Sequence, residues 1–297
     1  MNFGTVAILG PGLIGGSLAL ALAERGLADR LVIYARSPHA LDAIRLAGVD
    51  AELTGNPSEA VREADVVILC VPIEAMGPLV TECLEAFKPD ALVTDVGSVK
   101  GSVDAALEPL LRGHALWIGS HPMAGSEQSG FVAARPDLFE NAAVILTPTP
   151  QTVPAALDRA ETFWKALGGR LYTMAPADHD LAVADISHVP HLLASLLVAN
   201  ANPNSLPLAG GGFRDTTRIA AGSAELWTEI LWANRDALAK HCHAWSNQLA
   251  EIQRLFANGD ANAKSELFKL LENAQSVRSQ LMDKKPFPPK FTPSLHA

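Results

Sequence analysis

The stretch Thr5-Val6-Ala7-Ile8-Leu9-Gly10-Pro11-Gly12-Leu13-Ile14-Gly15 decides the fold. An apolar, β-branched run over 6–9 reads as a strand, and the Ala/Leu-rich run over 13–25 reads as a helix. Between them lies G-x-G-x-x-G. Gly10 permits the tight turn, Gly12 lets backbone approach a pyrophosphate, and Gly15 lets helix and strand pack closely. The free N–H groups at the helix N-terminus, around Leu13 and Ile14, then face the phosphates. Glycines at this spacing also mark ordinary loops. The strand before, the helix after and the continuing alternation give these three their weight.

Working outward, apolar runs at 31–34, 66–71, 92–96, 116–119, 143–146 and 170–174 alternate with helical segments. The pattern predicts an α/β fold, a Rossmann-type doubly wound parallel sheet over residues 1–175. Strand signals stop near Pro176. Residues 178–200 read as one apolar helix kinked at Pro190, and 202–212 as a Pro/Gly/Asn-rich loop. A short helix starts at Asp215, and long amphipathic helices cover 224–257 and 261–282. These make an all-helical C-terminal domain, 176–282. Residues 283–297, with four prolines and three lysines, read as an extended or disordered tail.

Composition narrows the function. The 297 residues are 48% hydrophobic, enough for two cored domains, and the net charge of −9 argues against a nucleic-acid partner. Cys70, Cys83 and Cys242 form no CxxC pair, so neither a disulfide framework nor a zinc site is expected, and a reducing, cytoplasmic setting fits. No signal peptide and no unbroken apolar span is read, hence no membrane partner.

The end of the second strand reads Tyr34-Ala35-Arg36-Ser37. NAD binders carry an acid here for the ribose 2′-hydroxyl; Arg36 can instead pair with a 2′-phosphate and Ser37 donate to it. That points to NADP, with NAD possible and a solvated Arg36 the plain alternative. Val71-Pro72, Gly97-Ser98 and Ser120-His121 fall at strand carboxyl ends, where such sheets bind ligands.

His121 is the candidate acid or base, its ordinary pKa lying near neutrality, although a structural histidine fits the position equally well. Ser98 can orient that histidine, bind substrate or cap the next helix. His188 and His191, three apart, can hold an anion or a metal. The H-E-x-x-H pattern is absent, and no metal is expected. Arg214 and Arg218, four apart after Gly210–Gly212, suit carboxylate recognition or salt bridges to Asp215 or Glu225.

Four motifs occur in order: Gly97-Ser98-Val99-Lys100, His121-Pro122-Met123-Ala124-Gly125-Ser126-Glu127, Ser187-His188-Val189-Pro190-His191 and Gly211-Gly212-Phe213-Arg214-Asp215-Thr216-Thr217-Arg218. Together they resemble the prephenate/arogenate dehydrogenase family of tyrosine biosynthesis. The resemblance implies hydride transfer from a cyclohexadienol to the cofactor, with loss of the ring carboxylate, in a chain whose helical domain dimerises. His121 then matches the base that takes the ring hydroxyl proton, Ser98 its orienting partner, Arg218 the carboxylate-binding arginine and His191 a contact of prephenate users. Glu127, Gly211 and Trp227 match residues near the pocket.

The family's acid is missing at Ala35. NADP preference there goes with arogenate, whereas His191 favours prephenate. The expected function is therefore prephenate oxidation to 4-hydroxyphenylpyruvate, with an arogenate or dual-substrate cyclohexadienyl dehydrogenase as the alternative. A non-catalytic NAD(P) sensor would keep Gly10, Gly12 and Gly15 alone. A β-hydroxyacid dehydrogenase would need a lysine that 178–200 lacks. With a strand starting at Val6, no fused chorismate mutase is expected. Leu226, Ile230, Leu231, Ala237, Leu238, Trp245 and Leu249 form a stripe that is either a homodimer interface or intradomain core.

Overall fold

The computed structural model describes residues 1–282 except 127 and 129. Glu127 and the tail expected at 283–297 lie outside the described residues. By compactness the chain divides into two units, Met1–Arg235 and the remainder from Asp236.

The first unit is built on eight strands: β1 (Thr5–Leu9), β2 (Arg30–Tyr34), β3 (Glu52–Thr54), β4 (Val66–Leu69), β5 (Leu92–Asp95), β6 (Leu116–Pro122), β7 (Ala143–Thr147) and β8 (Arg170–Thr173). Their order is β3-β2-β1-β4-β5-β6-β7-β8. The interleaved helices are α1 (Leu13–Glu24), α2 (Pro38–Leu46), α3 (Pro57–Val61), α4 (Ile73–Cys83), α5 (Gly101–Leu111) and α6 (Pro154–Ala166).

Alternate strand residues go to opposite faces. Val6, Ile8, Ile33, Ile68 and Ile118 pack with Leu18 and Leu22 of α1 and with Phe163 and Trp164 of α6. Ala7, Leu9, Val32, Val67, Val93 and Trp117 pack with Val61 of α3, Val80 of α4 and Leu107 of α5. Both faces are covered, which is why the strands read as continuous apolar runs. Each fully buried Leu or Ile contributes about 1.5–3 kcal/mol.

The chain winds outward from β1 to β3 and returns to β4 on the other side, so the switch point lies between β1 and β4. Gly10 sits there with φ +108°, and a side chain on it would meet the Cys70 carbonyl oxygen at 2.5 Å. Gly15 is as constrained, because its Cβ would lie 2.0 Å from the Gly10 oxygen.

Four expectations are corrected. The sheet is not wholly parallel: β6 and β7 pair antiparallel, with His121 opposite Ile145, so the strand runs on to Pro122 and His121 lies within it. The edge strand β3 was not anticipated, being three residues long with one face solvated. The helix expected over 178–200 is α7 (Pro176–Val183), a π turn (Ala184–His188) and α8 (Val189–Ala199). Pro190 has no N–H and crowds the carbonyl four residues back, and the wider turn absorbs this. The helix expected over 224–257 breaks at Asn234 into α10 (Ala224–Ala233) and α11 (Arg235–Asn258), after α9 (Gly211–Thr217), which begins before Asp215.

The stretch Pro176–Ala199 is long and apolar enough to match a membrane-crossing helix by length and composition. Its buried histidines bond to β6 and to Asn234, the role of a core helix. The second unit carries most of α11 together with α12 (Ala261–Met282).

Candidate active site

β6 delivers His121 to the carboxyl edge of the sheet. Ser120, on the opposite face, accepts from Trp164 Nε1 at 3.1 Å and from Thr94 Oγ1 at 3.0 Å. Behind it lies a fully buried ion pair, Lys100 with Asp95. Lys100 Nζ also donates to the Ser120 carbonyl at 2.9 Å, while Asp95 accepts from Ser120 N–H at 3.1 Å and Gly97 N–H at 2.8 Å. Two buried charges are tolerable when paired and hydrogen-bonded, and here the ammonium meets Asp95 and the Ser120 carbonyl while the carboxylate also takes two backbone N–H groups. The pair ties the β5–α5 turn, which carries Ser98, to the strand carrying His121.

The side chain that meets His121 is His179 of α7, fully buried, with Nε2 at 2.8 Å from His121 Nδ1. His179 Nδ1 lies 2.8 Å from Asp180 Oδ1. The Asp180 carboxylate also accepts the N–H groups of Lys100 and Gly101, both at 2.8 Å. It thus caps α5, the task left open for Ser98, which is half-buried and forms no capping bond to that helix among the described residues.

A carboxylate only accepts, so His179 carries its proton on Nδ1 and offers the Nε2 lone pair. His121 therefore donates from Nδ1 and keeps a free, basic lone pair on Nε2. Burial above all, then neighbouring His179, Lys100 and His188, hold the His121 pKa well below the ordinary histidine value. Burial likewise lowers His179, against the raising effect of Asp180. At neutral pH the pair is uncharged.

The other predicted residues fall into three groups. His191 is buried and stacks on Trp227, ring centroids 3.6 Å apart at 13°. A Cβ on Gly222 would meet Trp227 at 2.5 Å and His191 at 3.4 Å, so all three are in contact. Arg218 opens the 3-10 turn Arg218–Ala221 beside α8 and is exposed. Arg214 is exposed on α9 and forms no ion pair among the described residues, and Gly211 begins that helix in the open. His179, Asp180 and Asn234 were not anticipated. A histidine between two aspartates near a helix start was the one available signal.

At the cofactor end, α1 starts at Leu13 with no side-chain cap and no acid in its first turn. Gly12 has open space where a Cβ would stand. Unpaired N–H groups over a bare glycine suit a pyrophosphate. Val71 lies against Gly10, Pro72 directly precedes α4, and Arg36 and Ser37 are exposed just beyond β2. The residues present therefore fit a dinucleotide.

The family description "Prephenate dehydrogenase, nucleotide-binding domain" matches residues 18–173, and "Prephenate dehydrogenase, dimerization domain" matches 175–273. The chain belongs to the prephenate dehydrogenase family. It is 34% identical over 280 residues to cyclohexadienyl dehydrogenase of Zymomonas mobilis, covering 92% of this chain and 95% of that relative. It is 34% identical to prephenate dehydrogenase of Bacillus subtilis, covering 93% of this chain and 76% of the relative. Among solved structures it superposes on prephenate dehydrogenase from Aquifex aeolicus in complex with hydroxyphenyl propionate and NAD+. There the TM-score is 0.86 and the identity 29%, with 95% and 99% of the two chains covered. Arogenate dehydrogenase from Synechocystis gives 0.77 and 34%, covering 93% and 99%. As a member of this dehydrogenase family the chain is an NAD(P)-dependent oxidoreductase with a Rossmann fold.

Proposed function

We propose that this chain oxidatively decarboxylates prephenate to 4-hydroxyphenylpyruvate, with His121 as the base. The observation that carries the reading is the hydrogen-bonded series Asp180–His179–His121, which leaves His121 Nε2 unprotonated at the carboxyl edge of the sheet. When bound, the nicotinamide supplies the hydride acceptor. His121 takes the proton of the ring hydroxyl, which raises electron density at the carbon that loses hydride. The positive charge arriving on His121 is spread toward His179 and Asp180. The ring ketone then serves as electron sink for the departing carboxylate, and aromatisation makes the step irreversible.

Prephenate bears two carboxylates, and Arg218, Arg214 and His191 are the groups assigned to them. Ser98 is assigned beside the reacting carbon, at the turn that Asp95 and Lys100 pin, and Gly211 to the pocket. Gly10, Gly12, Leu13, Ile14, Gly15, Val71 and Pro72 are assigned to the cofactor. Arogenate is the second reading, favoured by the missing acid at Ala35.

Arg36 and Ser37, both exposed where the adenosine ribose belongs, support a preference for NADP. Their charge-assisted bonds to a 2′-phosphate, each worth about 1.5–3 kcal/mol, imply that Arg36→Ala raises the KM for NADP about 10- to 100-fold and leaves that for NAD nearly unchanged. The domain division at 175/176 and a homodimer through the C-terminal helices are part of the same proposal. Trp245, Leu249, Phe256, Phe268 and Leu271 are exposed on α11 and α12, and the matched helical region is the family's dimerization domain.

The test is a two-by-two assay of prephenate or arogenate with NAD or NADP, following reduced cofactor. Prephenate with NADP is the expected pair. Turnover of arogenate alone would move the assignment to the second reading, and no turnover in any combination would overturn it.

A further inference from the structure

Two buried nitrogens in the described residues have no partner, His188 Nε2 and His191 Nδ1. The first can be argued through to its protonation state. Asn234, 4% exposed at the end of α10, donates from Nδ2 to the Asp180 carbonyl at 2.8 Å. A carbonyl only accepts, so this contact fixes which end of the amide is nitrogen. The same Nδ2 lies 3.0 Å from His188 Nδ1. An amide nitrogen only donates, so His188 Nδ1 must accept. Burial brings the His188 pKa down to about 4, so the ring is neutral and its proton sits on Nε2. That N–H is buried without an acceptor, a state that costs about 1–3 kcal/mol.

The surroundings point to a ligand. His188 ends the π turn Ala184–His188, a distortion that concentrates at functional sites. Its ring is edge-on to Trp227, centroids 6.3 Å apart at 84°, and Trp227 carries the His191 stack on its face. It is also close enough to His121 to influence that group's proton affinity.

We propose that Asn234 is a positioning residue that locks His188 as a neutral Nε2–H donor, and that this donor binds a carboxylate or carbonyl oxygen of the substrate beside His121. The proposal rests on the dehydrogenase reading. Neutrality has a chemical purpose. A cationic His188 would hold the same oxygen but would oppose the positive charge that His121 must acquire. A tautomer fixed by an uncharged amide gives the contact without that opposition.

The experiment uses the full chain labelled with 15N-histidine and two-bond 15N–1H correlations, which separate the two tautomers and the imidazolium. His188 should be Nε2–H at neutral pH, and its proton should move downfield when hydroxyphenyl propionate, a stable carboxylate probe, is added. Asn234→Asp should drive it to the Nδ1–H or charged form. It should also raise the KM for prephenate about 10-fold or more, the value of one hydrogen bond to a charged group, with the cofactor KM little changed. Since Asn234→Asp can also disturb folding beside the Asp180 carbonyl, a second pair is needed. His188→Gln keeps a donor near the Nε2 position and should retain most of the affinity that His188→Leu loses. An Nδ1–H or charged His188 in the unaltered chain, or an Nε2–H that ignores the carboxylate, would overturn the proposal. The tautomer is read without turnover. A chain inactive on prephenate and arogenate whose His188 still answers the carboxylate would sink the substrate assignment and leave only the fixed tautomer and its carboxylate contact standing.

Discussion

Replacing His179 with leucine tests the proton path with little change in volume. In the unaltered chain His121 Nδ1–H donates to His179 at 2.8 Å, and His179 in turn donates to Asp180 at 2.8 Å. When His121 takes the substrate proton, its bond to His179 changes from neutral to charge-assisted. A neutral bond contributes about 0.5–1.5 kcal/mol and a charged one about 1.5–3 kcal/mol. The difference, roughly 1–2 kcal/mol, exists only once the proton has moved, so its loss appears in kcat rather than KM. The larger cost of leaving the N–H unsatisfied on a charged ring than on a neutral one adds to it, and kcat should fall about 10- to 100-fold. The KM for substrate should change by no more than about threefold, because His179 lies behind the base. The assay is cofactor reduction across pH. In the unaltered chain, kcat/KM should stay level to below about pH 6.5, because burial keeps His121 unprotonated there. A His179→Leu enzyme with kcat within about twofold of the original, or one that alters KM alone, would refute the path.

The glycines of the first loop should separate into two classes. Gly15→Ala brings a Cβ within 2.0 Å of the Gly10 oxygen and should destabilise the fold, whereas Gly12→Ala meets nothing and should melt as the original does. Gly12→Ala should nevertheless lose cofactor affinity in a binding titration, because the pyrophosphate needs that space. Asp104 offers a stability test. Burial raises its carboxyl to about 7, so the folded chain holds a proton that the unfolded chain has released above its ordinary value of 3.8. Stability is therefore lost as pH rises from there through about 7, by roughly 4 kcal/mol at the plateau. Asp104→Asn keeps an acceptor for Trp117 Nε1, now 2.9 Å from Oδ1. It should raise Tm at pH about 8 more than at pH about 5, and an equal or lower Tm at the higher pH would contradict the assignment.

What was legible in the chain follows from how far each feature depends on its neighbours. The central strands were, because burial on both faces writes continuous apolar runs, whereas β8 is largely exposed; α1 was, from its Ala/Leu richness after the glycine loop, and α12 from its amphipathic pattern. β3 was not, since three half-solvated residues carry no period. His121 could be picked out because it lies at a strand's carboxyl end. Its partner His179, 58 residues away, could not. Asp178-His179-Asp180 has the composition of a solvated helix start, and only the packing of α7 over the β5–α5 turn reveals that Asp180 caps α5 and orients His179 at once. Asn234 is the sharper case. Inside a helical pattern an asparagine reads as a tolerated surface residue, so 224–257 looked unbroken. Its amide instead serves the Asp180 carbonyl and His188, and the helix gives way at that point. Both misreadings have one cause. A polar residue states its role through the atoms it bonds, and here those atoms belong to α7 and to the π turn that follows it. The carboxylate of Asp180 fixes the proton on His179, and through it on His121, while its carbonyl orients Asn234 and so fixes the proton on His188. One residue, unremarked in the sequence, thereby sets the protonation pattern of three histidines.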